Sequence, residues 1–487
     1  MSRRGMPLTL YGASTGTDRT SGRNSLAFLA VLGLALTPTA KVRAQALPVD
    51  SVLTLPHALA IAEARDPRLR GRASEVRAAE HTVTLSAQRL LPSIDLGAQV
   101  ARATDNNITG ASFPQAVVLP VSGPVRTTSS GTQVYGSAIG AMVAWAPFTF
   151  GQVGAQRRQA RAELRLANAG MSGELFDERV TVATAYLGLL RARELVRVQR
   201  QSLVRAEASA RAVRALAASG LRPGADSLLA GAEVSRARID LLAAERDAAN
   251  AGGRLGELLG AWSEVPQLSS TPFLDTIPDV PATRPPPDLA QHPHLEPFIA
   301  RVAIGAARQA IAAGSALPRL SLVGAITARG SGIAPDGVID RSFSGGIAPE
   351  RTNVAVGVMV NLPLTDALFS GSRAGIESAR LDAARAELSA QEDHVRAGLL
   401  AADANLSLAL SVSREVPLQL SAASAAYQQV SSRYAAGLAT LPELAQAQLI
   451  LTRAEVDSVL ARVAAWTAWL DRCASQGNLA PFLASVP

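Results

Sequence analysis

The sequence predicts a mixed α+β membrane protein in which long coiled-coil helices carry two β-hairpins, four strands in all. Three observations predict it: an internal duplication, heptad repeats of unusual length, and short segments of alternating apolar residues. The duplication shows first in its punctuation. Asp66-Pro67 opens a helical stretch that ends at Leu91-Pro92 and runs into Ile94 to Val100, and His292-Pro293 opens another that ends at Leu317-Pro318 and runs into Leu320 to Ile326. Both proline pairs lie 226 positions apart. Further on, Ser219-Gly220-Leu221 recurs as Ala436-Gly437-Leu438, and Arg236, Ala237 and Asp240 recur as Arg453, Ala454 and Asp457, at an offset of 217. A repeat of this length is two copies of one large unit rather than a solenoid.

The helices follow from sevenfold spacing. Leu175, Val182, Leu189, Val196 and Leu203 form one series, and Val234, Leu241, Ala248 and Leu255 the next. Leu381, Leu388, Val395, Ala402, Ala409 and Val416, then Leu449, Val456, Val463 and Leu470, repeat the arrangement in the second half. Such stripes want partner helices. Gly151 to Gly220 contains no proline and is read as one helix of roughly 100 Å at the α-helical rise. Its counterpart, Gly371 to Gly437, carries Pro417, which removes a backbone donor and is expected to kink or break it. Gly220 and Gly437 sit where a left-handed residue ends a helix before the chain reverses.

The strands follow from period-two alternation. Val354, Val356, Val358, Val360 and Leu362 share one face against Asn353, Ala355, Gly357, Met359 and Asn361; Tyr135, Ser137, Ile139, Ala141, Val143 and Trp145 alternate with small residues. A soluble half-buried hairpin would explain any one of these segments, whereas all four in duplicated positions match a membrane barrel. Polar loops, roughly Thr104 to Thr132 and Gly330 to Thr352, join each pair. Four strands cannot close a barrel and lipid does not tolerate an open edge, so the chain must assemble. Two copies give a small filled barrel; three give twelve strands, wide enough for a conduit.

The expected organisation is a secretory signal over 1–44, a first repeat over 45–264, a proline-rich linker over 265–288 with no regular element, a second repeat over 289–475 and a tail over 476–487. Arg3, Arg4 and Arg23 precede the apolar run Leu26 to Leu36, and small residues around Ala44-Gln45-Ala46 follow it, as in a cleaved leader. Residues 1–44 hold six of the 47 basic residues and one of the 40 acids, so 41 face 39 in the remainder and the basic balance is no argument for nucleic acid. Cys473 is the only cysteine, which excludes an intramolecular disulfide. No uninterrupted apolar run after the leader is long enough for a membrane helix. No phosphate-cradling loop or nucleophile elbow is present, so no enzyme activity, cofactor or energy source is expected. His292-x-His294, with His57, His81 and His394, lacks metal-ligand spacing, and no metal is expected.

Leu53-Thr54-Leu55-Pro56-His57-Ala58-Leu59 leading into Asp66-Pro67, the Leu-Pro strand entries at Leu91 and Leu317, and the Ala-Gly-Leu turn at Ala436 resemble the TolC-like outer-membrane efflux family over roughly residues 50–475. The resemblance implies a homotrimer: a twelve-stranded barrel in outer-membrane lipid, continued by an α-helical barrel across the periplasm. It also implies partners, a periplasmic adaptor and an inner-membrane pump of RND or ABC type, with this chain as the passive exit duct. That family closes its tunnel at the helical turns through a tyrosine and acidic residues. Carried over, the candidate gate or pore-lining residues are Asp226, Tyr434 and Glu443, beside the turn glycines Gly220 and Gly437. Two family positions depart, since Ala439 replaces an arginine and Gln446 an acid; Arg222 is a candidate replacement cation. The competing reading of Asp226 is an N-cap, that of Tyr434 is packing, and the competing function is an exported coiled-coil structural or adhesin protein without a pore.

Overall fold

The computed structural model describes residues 52–104, 131–220, 223–260, 267–269, 273–281, 288–333 and 338–486. The leader, most of the first strand loop and Arg222 lie outside them. The first half comprises α1 (Leu55–Arg65), α2 (Pro67–Gln88), β1 (Ser93–Thr104), β2 (Gln133–Phe148), α3 (Gln152–Ala218) and α4 (Gly224–Leu259). The second comprises α5 (Glu296–Gly314), β3 (Arg319–Ser331), α6 (Phe343–Ile347), β4 (Arg351–Asn361), α7 (Leu364–Ala435) and α8 (Leu441–Ser475), followed by α9 (Ala480–Ala484). The duplication holds at the element ends: β1 and β3 start 226 positions apart, while α3 and α7 end, and α4 and α8 start, 217 apart.

Local chemistry explains the starts. Asp66 accepts the Arg68 N–H at 2.8 Å, and Pro67 takes the first helical position, where its missing N–H costs nothing. The equivalent His292 accepts the His294 N–H on Nδ1 at 3.2 Å, an imidazole standing in for the capping carboxylate, and α5 begins slightly later at Glu296. The His-x-His motif is thus accounted for by local structure. His292 is buried with its ring against Gly477, and burial lowers its pKa; His294 Nε2 lies 2.8 Å from Asp177 Oδ1.

α3 spans 67 residues, as expected, and α7 spans 72. Pro417 does not end α7, which corrects the expectation of a break. The proline lies on the exposed side, while Val416 and Ser413 are buried against α8 and the Ser413 hydroxyl contacts the carbonyls of Ala409 and Ala461 at 2.8 and 3.0 Å. Packing along α8 therefore holds the helix through the missing backbone bond. The heptad series is real: Leu381, Val395, Ala402, Val416 and Ala423 are buried at sevenfold spacing, with Leu406, Ser413 and Tyr434 on the interleaved positions. A stretch of α7 is apolar and long enough by composition to cross a membrane, yet it is mostly exposed within one chain and belongs to a far longer helix.

The main core gathers α1, the middle of α3, the end of α8 and α9 around Tyr186, Phe273, Trp466 and Phe482. The Phe273 ring stands 5.9 Å from Tyr186 and 5.1 Å from Trp466. Phe273 lies in the stretch expected to hold no regular element, and its described residues form no helix or strand, only an isolated parallel bridge from Leu268 to Leu53. The stretch is nevertheless packed into the core. The Tyr186 hydroxyl lies 2.9 Å from both the Leu53 and Ser269 carbonyls, so buried polar groups fix the linker in place.

The four strands form one antiparallel sheet in the order β1-β2-β3-β4. The β3–β4 connection is also more ordered than a polar loop. Ile333 bridges Ile339, and α6 packs on the sheet end, where Gly346 lies against the Tyr135 carbonyl so closely that a side chain would collide.

Candidate functional site

Two places carry the candidate function: the helical tip and the sheet. At the tip, Gly220 and Gly437 have φ of 73° and 79°, the left-handed conformation that glycine adopts without strain. In the second half the Gly437 N–H bonds to the Tyr434 carbonyl at 3.1 Å and the Leu438 N–H to the Arg433 carbonyl at 2.8 Å, which closes the helix end. The two turns meet. Tyr434 is 4% exposed and packs in a cluster with Ala210, Val213 and Ala230 of the first half and Ala439, Leu441 and Leu444 of the second. Ala439 occupies a buried place in that cluster, so the departure from the family arginine substitutes packing for charge.

The two acids differ. Glu443 and Thr440 form a capping box: the Glu443 carboxylate accepts the Thr440 N–H at 2.7 Å, and the Thr440 hydroxyl accepts the Glu443 N–H at 3.4 Å. The bond from the Thr440 N–H holds the Glu443 carboxyl below its usual pKa. Asp226 is 217 positions earlier, and the residue matching Thr440 is Pro223, the actual N-cap of α4. Proline has no N–H, so Asp226 cannot make that reciprocal bond and stands in the first turn of α4, where the helix dipole favours an anion. Gln446 is exposed beside this region. The structure thus brings Tyr434 and both turns together, and gives Glu443 a capping role that the sequence reading assigned only as an alternative for Asp226.

The sheet register sorts the strand residues into two faces. Ile94 pairs with Val143, Val143 with Gly324, and Gly324 with Val356; Leu96, Ala141, Ile326 and Val354 form the next row. Ile139, Trp145, Leu322, Val358 and Val360 lie on this same face, which is exposed up to 87% at Val356 and 83% at Leu96. Tyr135 and Trp145 bracket it, ten residues or roughly 33 Å apart along the strand. At a tilt of ~40° that is about 25 Å of height, the thickness of an outer-membrane apolar band between aromatic girdles. The opposite face is small or polar, with Gly97, Gly140, Thr327 and Asn353 in one row and Gln99, Ala138, Arg329 and Arg351 in another. The sequence reading missed these facing arginines, because only the register shows that they are opposite.

Among the described residues no group of three or more His, Cys, Asp or Glu is arranged to hold a metal ion. Cys473 is buried, and burial pushes its thiol up to about 12, far from a nucleophile's range.

Comparison with known proteins places these features. Residues 58–261 match the family model described as Outer membrane efflux protein. No curated protein matches the chain in sequence. The outer-membrane channel OprN superposes with a TM-score of 0.71 at 19% identity, over 87% of this chain and 90% of that one. The outer membrane protein VceC of Vibrio cholerae gives 0.71 at 16% identity over 87% and 96%, and the open-state MtrE outer membrane channel of Neisseria gonorrhoeae 0.69 at 17% over 87% and 89%. In sequence over 58–261, and in fold over 87% of its length, the chain is similar to the TolC-like outer-membrane efflux family.

Proposed function

We propose that the protein is the outer-membrane channel of an efflux or secretion system, acting as a homotrimer. The observation that carries this reading is a four-stranded sheet with two open edges and one predominantly apolar face. β1 and β4 run in opposite directions, so β4 of one copy pairs antiparallel with β1 of the next, and three copies close twelve strands. Closure by two copies is disfavoured by the other face, where Gly97, Gly140, Ala325, Ala355 and Gly357 are too small to fill an eight-stranded barrel. An empty lumen suits a duct. The adhesin reading explains the heptads and leaves the apolar sheet face without a purpose.

The helices α3, α4, α7 and α8 continue the barrel into the periplasm, with the Gly220 and Gly437 turns at the far tip. There the duct meets a periplasmic adaptor and an inner-membrane pump, which supplies the energy. Asp226, Tyr434 and Glu443 close that end: Tyr434 fixes the two helix pairs to each other, and the acids, repeated threefold, attract cations. In detergent the mature protein should have a trimeric mass and form channels in planar bilayers. Tyr434→Phe with Glu443→Gln should raise single-channel conductance, and Asp226→Asn should weaken cation preference. A monomer that forms no channels refutes the reading; channels indifferent to all three substitutions refute the gate alone.

A further inference from the structure

Where β2 passes into α3, a groove of about 550 Å³ opens between the sheet and the helices, lined by Leu90, Phe148, Phe150, Leu320 and Arg157. A bulge puts Phe148 there. Trp145 pairs with Leu322 and Phe148 with Leu320, so three steps along β2 are set against two along β3, and Phe148 joins Trp145, Leu322 and Val360 on the apolar face instead of the small one. Phe150 is the one non-glycine residue with a positive φ among those described, at 47°, a conformation that costs a bulky side chain energy, and it is 58% exposed. The turn thus holds an apolar ring away from the chain's own core. It is fixed on both sides: the Gln152 N–H donates to the Thr149 carbonyl at 3.0 Å, and the Gln152 side-chain amide donates to the Gly314 carbonyl at the end of α5.

Arginines follow the aromatic residues. Arg157 stands six residues past Gly151, about 9 Å at the helical rise, and Arg161 lies one turn further on the same face of α3. Arg158 reaches back along the helix toward Gly154, another residue of the groove wall. None of the three forms an ion pair among the described residues. Arg89, at the end of α2, donates to the neutral Gln156 amide oxygen at 2.7 Å, which leaves its charge uncompensated. No acid lines the groove. The counterparts of Arg157, Arg158 and Arg161, 217 positions on, are Ala374, Gly375 and Ser378, so the basic cluster belongs to one of the two strand-to-helix junctions.

We propose that this groove binds a phospholipid of net negative headgroup from the periplasmic leaflet, its phosphate on Arg157 and Arg158 and the start of an acyl chain along Phe148, Phe150 and Leu320. This rests on the outer-membrane reading of the apolar sheet face, with which the groove is continuous through the row of Phe148, Leu320 and Val360, and not on the number of copies. Aromatic rings sit at the headgroup level of a bilayer, and arginine stems placed just beyond them reach back to it along apolar surface. Guanidinium presents paired donors that match phosphate oxygens. A zwitterionic headgroup adds an ammonium, which meets no carboxylate in the groove, whereas the cluster of cations attracts a headgroup of net negative charge. The bound chain covers the exposed Phe150 ring and ties the foot of the sheet to the head of α3.

The test is native mass spectrometry of the full mature protein released from detergent, with phosphatidylglycerol or phosphatidylethanolamine added at equal concentration. The parent should retain phosphatidylglycerol in preference, and Arg157→Gln with Arg158→Gln should lower that retention about fivefold while leaving phosphatidylethanolamine unchanged. Phe150→Gly removes both the ring and the backbone strain, and should weaken retention of both lipids without lowering the temperature of thermal unfolding, which separates lost binding from lost fold. Arg236→Gln, at an exposed position on α4, should leave retention unchanged. Equal retention of the two lipids by the parent overturns the site, as does equal retention of phosphatidylglycerol by the parent and the arginine pair, or an Arg236 effect as large as that of the pair. A protein that stays dissolved without detergent and retains neither lipid overturns the membrane reading, and the groove falls with it.

Discussion

The two halves of the chain solve the same packing problem differently. Tyr186 and Leu255 in the first half correspond, 217 positions on, to Asp403 and Arg472 in the second. Tyr186 and Leu255 are fully buried in the apolar core, whereas Arg472, equally buried, donates to Asp403 at 3.0 Å. The long helices differ too: α3 buries twenty residues under α1, α2, α5 and α8, and the longer α7 buries eight. Duplication has kept the backbone plan and freed one copy of its cover. In the trimeric assembly proposed above, the helix left open within one chain is the one that meets a neighbouring subunit.

The largest effect should come from testing that openness. Leu400 on α7 is 72% exposed, and its counterpart on α3, Ala183, is 1% exposed. Ala183→Asp buries an unpaired charge and should prevent folding altogether. Leu400→Asp with Leu408→Asp, both on exposed positions, should leave helix content intact and abolish the trimer. Native mass measurement in detergent together with circular dichroism separates the two outcomes. A trimer that survives the α7 pair would mean that this face lines the lumen or meets solvent.

A smaller effect is expected at the core pair. Arg472→Leu removes a buried guanidinium and its bonds to Asp403 and Gln476, and should cost about 1–2 kcal/mol, less than a fully buried pair, because the Asp403 side chain is 35% exposed. Arg472→Leu with Asp403→Tyr recreates the first-half solution and should recover most of that loss in thermal unfolding. Failure of the double substitution to recover stability would show that the surroundings of the two sites, as well as the pairs themselves, have diverged.

The sequence made the duplication, both turn glycines and the apolar strand faces legible because each follows from local chemistry: proline pairs, left-handed glycine, and a period of two. Features that depend on distant residues were not legible. Nothing near Pro417 announces that α8 supports it, and nothing near Phe273 announces that Tyr186 and Trp466 receive it. The candidate site divides the same way. The sequence picked Asp226 and Glu443 as equivalent acids, but the difference between them lies three residues earlier, in Pro223 and Thr440, and becomes visible only with the capping geometry.

That difference sets the smallest effect, a pH-dependent one. The folded Glu443 carboxyl has a pKa depressed below its unfolded value of about 4.3. Its stabilisation of the α8 start is therefore complete above the unfolded pKa, and is lost as pH falls through the folded value. Asp226 cannot make the same bond to Pro223, so the α4 start should lack this acid sensitivity. Hydrogen exchange read by mass spectrometry, corrected for the intrinsic rate, should show peptides over 438–446 keeping their protection from pH 6 down to about 4.3 and losing it below that. Peptides over 223–230 should change less. Thr440→Ala, which removes the hydroxyl acceptor, should raise exchange at 443 by roughly fivefold at neutral pH. If both tips respond alike to acid, the capping box is not what distinguishes them, and Glu443 is then as available as Asp226 to face the tunnel.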